Sequence, residues 1–458
     1  MQRSRLRLWA GRDSGTEWGA MRRLFGRVQA LSCAASCAAL LLSAGAGFVA
    51  GIPGSARAES GAPPPRLVAL ESGQPDPATD PRVAAFDHFL SQQVAAGEFV
   101  GIAVAIVDRG QLSLVKGYGR RSQTEGGRVD DQTVFRVASL SKAFASTLTG
   151  LMVKEHFVDW STPVRQVLPR MSLGASRNNV TVGDLLSHRV GLPPNAYDDL
   201  LEAGVPTGEI VSRLSGLSLS CPPGSCYGYQ NVAFNLVAPV LEARTGASYP
   251  ELVRERLFTP LFMRRASLGL EGLQQDDNWA RPHVRIGERR WREVTVKPAY
   301  YEVPAAAGVN ASARDMAKWL MAQLGMAPHA VPKDVLETIH KPRVNTPREL
   351  YRARPRYEGV RTARYGYGWR YYNINGVEVV WHSGVVQGYI AQIAFVPEQK
   401  SGIVFLTNGY SKTFPSLLPA YLETFIDGIK TRGLVLEGFP SRTQMAAGDA
   451  APPAAGGE

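Results

Sequence analysis

Cysteine is scarce: the 458 residues hold four, and two of them, Cys33 and Cys37, fall in an N-terminal apolar run. The seven histidines are scattered, and no H-x-H or H-E-x-x-H occurs, so a metal-dependent hydrolase finds no ligand pattern. No G-x-S-x-G elbow is present, which removes an α/β-hydrolase. No internal repeat is evident. Charged residues make up only 20% against 45% hydrophobic ones, the balance of a soluble globular protein. A chain of this length can bury a core without a metal or a disulfide framework, as one large domain or two to three ordinary ones. Nothing in it calls for a cofactor.

What is present begins with a leader. Arg22, Arg23 and Arg27 precede the apolar, Ala-rich run Ala30–Gly51, and Ala56-Arg57-Ala58 then offers a small-x-small cleavage pattern. Residues 1–58 are therefore expected to be an export signal, with Met21 a candidate start and Arg22–Phe25 a partial twin-arginine match. An uncleaved membrane anchor is the alternative. Export puts the protein in the periplasm or outside the cell.

Removing residues 1–58 takes away eight Arg and two acids and leaves 43 basic and 38 acidic residues, a net +5. The excess is local: residues 341–370 hold nine Lys/Arg against two Glu, interleaved with tyrosine. An exported protein has little occasion to meet nucleic acid. A solvated surface loop is the expectation, with contact to an anionic cell-envelope polymer or a membrane surface as the alternative. Cys221 and Cys226 flank Pro222-Pro223-Gly224, a turn that brings them together, and an oxidising compartment favours their pairing.

Residues 59–80 read as a Pro/Gly-rich linker and 431–458 as a disordered tail, leaving 81–430 as the domain. Val83, Phe86, Leu90 and Val94 recur at helical spacing. Two apolar-rich strands about Asp108-Arg109-Gly110 predict a hairpin. Residues 139–155 are helical again, about 130–330 are helical pieces broken by Pro and Gly, and the pattern returns to strands, with Asn375-Gly376 a hairpin turn. A last helix falls near 414–430. The expected fold is α+β: an antiparallel sheet built from both chain ends and flanked by helices, with a mainly helical lobe inserted, and a cleft between.

S-x-x-K occurs twice. On a helix, Ser139 and Lys142 share a face; on a strand, Ser113 and Lys116 point apart. Only the first pair can act as nucleophile and base. Ser139 is expected at the helix start, where free N–H groups favour negative charge. Tyr229-Gln230-Asn231 precedes an apolar helical run, whereas the similar Tyr371-Tyr372-Asn373 sits in a strand. His382-Ser383-Gly384 follows, with Gly384 permitting close backbone approach.

These three elements in this order resemble the serine β-lactamase and penicillin-binding-protein superfamily, and within it the branch of class C β-lactamases and D-alanyl-D-alanine peptidases. LLSHRVGLP at 185–193, GVNASARDMAKW at 308–319, YGYGW at 365–369 and FVPEQKSGIVFLTNG at 395–409 agree with that branch. The resemblance covers about 82–430. It implies that Ser139 is acylated, that Lys142 and Tyr229 share base and acid work, and that Asn231 holds the substrate amide. It also implies an oxyanion hole from the N–H groups of Ser139 and Val385, with His382 and Ser383 at the substrate carboxylate. His382 stands where class C β-lactamases carry lysine, so acylation by a β-lactam is favoured over its rapid turnover. The expected substrate is a small D-alanyl-type peptide or a β-lactam. An esterase using the same site, and a non-hydrolytic binder of wall peptides, remain as alternatives.

Overall fold

The computed structural model describes residues 76–77, 80–432 and 439, apart from 172, 175, 176 and 276. The leader, most of the linker and most of the tail lie outside the described residues. Among those described, no helix is long and apolar enough to cross a membrane.

Helix α1 (Pro81–Ala95) begins where expected: Asp80 accepts from the Arg82 N–H at 2.8 Å, and Pro81 occupies the first turn. The predicted hairpin follows as β1 (Gly101–Asp108) and β2 (Gln111–Gly119). Its turn uses Arg109 and Gly110, both at positive φ. Beyond them come β3 (Val134–Arg136) and α2 (Ser141–Lys154). The middle of the chain contributes α3 (Asp198–Glu202), α4 (Val232–Asn235), β4 (Ser267–Leu268), β5 (His283–Arg285), β6 (Trp291–Glu293), β7 (Val309–Ser312) and α5 (Ala313–Gln323). So the lobe is not purely helical: β3, β7 and β4 form a small sheet, and β5 pairs with β6.

The last third supplies β8 (Val344–Asn345), α6 (Pro347–Ala353), β9 (Val360–Tyr365), β10 (Arg370–Ile374), β11 (Val377–Val386), β12 (Tyr389–Val396), β13 (Ser401–Thr407) and α7 (Phe414–Phe425). One eight-stranded sheet runs β2-β1-β13-β12-β11-β10-β9-β8, antiparallel throughout. The first strand of the domain thus lies against the last, with Ile102 opposite Thr407 and Val107 opposite Gly402. Residues 341–370 are not a surface loop; they form β8, α6 and β9 at the sheet's far edge and end on β10.

Alternation along β1 explains the layering. Ala103, Ala105 and Val107 face the helical lobe and α2, while Ile102, Val104 and Ile106 face α1 and α7. Both faces are covered, so β1 is buried from end to end. Among the described residues of the tail, Phe439 packs edge-on against Phe86 and Phe89 at 5.3 and 5.5 Å, and Thr431 bridges to Tyr357.

Candidate active site

The site forms where α2, the loop before α4 and the free end of β11 converge. Ser139 lies not in the α-helix but in a 3₁₀ turn, Ala138–Leu140, immediately before α2. Ala138 has φ +49°, a left-handed conformation that costs an L-residue roughly 1 kcal/mol. That kink turns the chain from β3 into the helix and leaves Ser139 half-buried at the junction.

Lys142 is wholly buried. Its Nζ lies 2.7 Å from Asn231 Oδ1, 3.0 Å from the Ala306 carbonyl and 3.2 Å from Ser139 Oγ. Burial drives its pKa well below that of an ordinary lysine; nearby Asp198 opposes this and Arg370 reinforces it. A neutral amine has two N–H bonds and one lone pair. The two carbonyl oxygens can only accept, so they take the N–H bonds, and the lone pair is left for the Ser139 hydroxyl. Ser113 and Lys116 behave as decoys: Lys116 pairs with Asp87 at 2.8 Å, and Ser113 turns to the Gln111 carbonyl.

Tyr229 is half-buried beside this pair, its ring 4.7 Å from Lys142 Nζ. Burial pushes the phenol above its usual range, against the pull of Arg370 and a polar contact with Ser139. It is therefore a neutral O–H at working pH. The loop that carries it is tied at several points. Cys221 and Cys226 are disulfide-bonded. Gly224 N–H bonds the Arg189 carbonyl at 2.7 Å and Gly228 N–H the His188 carbonyl at 2.9 Å. The decoy Tyr371 instead donates to the Ile339 carbonyl at 3.1 Å, away from the site.

Asn231 is the N-cap of α4, yet its side chain makes no capping bond. An uncapped Asn at that place forgoes about 1 kcal/mol. The amide is spent on the site instead: Oδ1 accepts from Lys142, and Nδ2 donates to Asp198 Oδ2 at 2.8 Å.

His382 is buried, with both ring nitrogens engaged inside the protein. Nδ1 donates to the Ser383 carbonyl at 2.8 Å, so Nε2 is left to accept from the Tyr365 hydroxyl at 3.1 Å. Burial, then the charges of Arg370 and Lys142, hold its pKa well below 6.5. The ring is neutral and has no nitrogen free for a carboxylate, which runs against the expected contact. Ser383, on the opposite side of the strand, is half-buried. Gly384 is where β11 meets the nucleophile turn: a Cβ there would lie 2.2 Å from Val137 O and 2.8 Å from Ser139 N. Pairing of β11 with β10 stops at Trp381, so His382–Val386 presents an open edge toward Ser139, and Val385 is 63% exposed.

Three residues of the site had no role in the sequence reading. His188, in LLSHRVGLP, packs its buried ring 4.3 Å from that of Tyr229 and accepts the Gln230 N–H on Nδ1. Arg370 ends the basic stretch with its guanidinium 5.4 Å from the Tyr229 ring and 3.6 Å from Glu349 on α6. It supplies the fixed positive charge that the third motif lacks. Asp198 carried no signal at all. Among the described residues no group of three or more His, Cys, Asp or Glu is placed to hold a metal ion.

With this geometry in view, the comparisons are specific. The Beta-lactamase family model matches residues 86–424. An unguisins hydrolase of Aspergillus campestris is 28% identical over 354 residues, 75% of this chain and 65% of the relative. Protein flp of Staphylococcus aureus is 24% identical over 340 residues, 72% of this chain and 64% of that one. The chain thus spans about 65% of the length of these curated relatives. Among solved structures, the octameric penicillin-binding protein homologue from Pyrococcus abyssi has TM-score 0.64 at 24% identity, covering 74% of this chain and 76% of its own. A D-stereospecific amidohydrolase from Streptomyces sp. has TM-score 0.59 at 21% identity, covering 75% and 98%. These two likenesses show the fold, and the match over most of the domain shows more: the chain belongs to the Beta-lactamase family of serine hydrolases.

Proposed function

We propose that this chain is an exported serine hydrolase that opens amide bonds of D-alanyl-type peptides or β-lactams through an acyl-Ser139 intermediate. The observation that carries this reading is the placement of Lys142, buried, with two carbonyls on its N–H bonds and Ser139 Oγ 3.2 Å away. In acylation the Ser139 proton passes to Lys142 Nζ while Oγ attacks the substrate carbonyl. The oxyanion forms against the backbone N–H groups of Ser139 and Val385. Tyr229, a neutral phenol, donates its proton to the leaving nitrogen and is recharged from Lys142. A water then attacks the ester with the same groups in reverse. The open edge of β11 offers the backbone of an extended substrate a place to pair, and the amide N–H of Asn231 not held by Asp198 is available to its carbonyl. The names of an unguisins hydrolase and a D-stereospecific amidohydrolase among the similar proteins support hydrolysis, and the second supports an amide as the bond opened. Export rests on Arg22–Arg27 and the apolar run after them.

The test is mass spectrometry of the intact protein after separate incubation with a penicillin, a D-alanyl-D-alanine peptide and a p-nitrophenyl ester. A lasting penicillin adduct on Ser139 is expected. A rapidly cleared adduct would mark a β-lactamase, turnover of the ester alone an esterase, and neither adduct nor turnover in folded protein a binder.

A further inference from the structure

We infer that Asp198 is a positioning residue for acylation, holding the Asn231 amide so that its oxygen, and not its nitrogen, faces Lys142. The inference rests on Lys142 being the base for Ser139. An asparagine amide has an accepting end and a donating end of nearly the same shape, so packing alone does not choose between them. The contacts on its two sides do. A carboxylate can only accept, and Asp198 Oδ2 stands 2.8 Å from Nδ2. That fixes Oδ1 toward Lys142 at 2.7 Å, where it takes one of the amine's N–H bonds.

Orientation matters because of the lone pair. If the amide turned over, Nδ2 would donate to Lys142, competing with the Ser139 hydroxyl for the lone pair of the amine. The nucleophile would keep its proton. Asp198 thus acts through Asn231, without touching the reacting atoms.

The same carboxylate has a charge effect. Lys142 is faced by Arg370 from β10, by Tyr229 and His188 from the two knitted loops, and by His382 from β11. All but Arg370 are neutral. Asp198 is the acid acting on the amine, and is itself faced by Asp199 and Glu202 of α3 and by Tyr300, whose hydroxyl bonds Glu202 at 2.8 Å. Among the described residues its second oxygen, Oδ1, is buried without a hydrogen-bond partner, so the bond from Asn231 is the one that fixes the carboxylate. A negative charge here favours protonated Lys142, so its removal makes the base available at lower pH.

The experiment compares Asp198→Asn, Asp198→Ala and, as a control for general acidity on α3, Glu202→Gln. Penicillin acylation of Ser139 is followed from about pH 5 to about pH 9, with Tm recorded for each. Asp198→Asn keeps an acceptor for Nδ2, so the plateau rate stays within about threefold while the acidic limb moves to lower pH. Asp198→Ala loses roughly tenfold or more in acylation at similar Tm. A neutron or atomic-resolution structure of that variant shows the amide turned. Wild-type rates and an unmoved limb in both variants, or an unturned amide, would overturn the inference; so would equal effects from Glu202→Gln. Should Asp198→Ala not fold, the Asp198→Asn profile decides. Should wild-type protein not be acylated, the proposed function falls, and the amide orientation in the variant still judges Asp198.

Discussion

Gly384→Ala is the sharpest perturbation of the site, because it adds one methyl group where three backbone-borne atoms converge. The new Cβ would stand 2.2 Å from Val137 O, 2.8 Å from Ser139 N and 3.1 Å from Ala138 Cβ. None of these is the end of a flexible side chain. To restore ordinary contact, β11 must retreat from the 3₁₀ turn by ~1 Å. That motion separates the two proposed oxyanion donors, the N–H groups of Ser139 and Val385. Losing one such donor, or misplacing the reacting groups by this distance, costs on the order of 10²-fold in rate. Overpacking should cost about 1–3 kcal/mol of stability, a few degrees of Tm. The assay is single-turnover acylation by a chromogenic cephalosporin at a temperature well below Tm, with calorimetry on the same sample. The expected result is a loss in rate far larger than any loss of folded protein. Acylation within about threefold of wild type would refute the idea that β11 and the turn together build the oxyanion site.

Replacing Lys142 by Met keeps the volume and removes the amine, so acylation should fall by ~10²–10⁴-fold in a protein that still melts cooperatively; retention of rate would shift the base to another group. Burial holds His340 at about 3, while the unfolded chain titrates near 6.5. The folded state therefore lags in proton uptake, and stability present above the unfolded value is lost as pH falls. At pH 4.5 this amounts to about 3 kcal/mol from His340 alone. Urea melts of His340→Gln should show a flatter decline, and an equal decline would exclude His340 as its source. Exchanging both Cys221 and Cys226 for Ser should remove roughly 2 kcal/mol of loop-closure stabilisation, with a slower acylation step read beside Tm; unaltered kinetics would mean the loop bonds to His188 and Arg189 hold Tyr229 without it.

Much of the fold was legible because its signals are local. Helical spacing chose Ser139 and Lys142 over Ser113 and Lys116, and Asn375-Gly376 marked the turn between β10 and β11, where both residues take positive φ. Tyr229 and Asn231 could be found because they precede a helix, and the pairing of Cys221 with Cys226 because a turn separates them. What escaped the sequence is set by contacts remote along the chain. Asp198 is one acid in the run YDDLLE, and only the folded loop brings it to Asn231. Arg370 belonged to a run of cations that looked solvated, until β9 and β10 carried its last member inward. His382 kept its position but not its expected task, since Tyr365, a residue seventeen positions away, takes the nitrogen a ligand would need. The small sheet of β3, β7 and β4 was hidden because strands of two to four residues have no readable period.

The pairing of β1 with β13 ties the birth of the domain to its completion. β13 is not an edge but a central strand, held between β1 and β12 and buried along its length. A ribosome that has released the hairpin of β1 and β2 must add nearly all of the remaining domain before the second partner of β1 emerges. Until then the edge of β1 that β2 does not cover is an unpaired, apolar template for any passing strand. A chain stopped short of Ser401 would be no shortened enzyme but two half-sheets with raw inner edges, bound for aggregation.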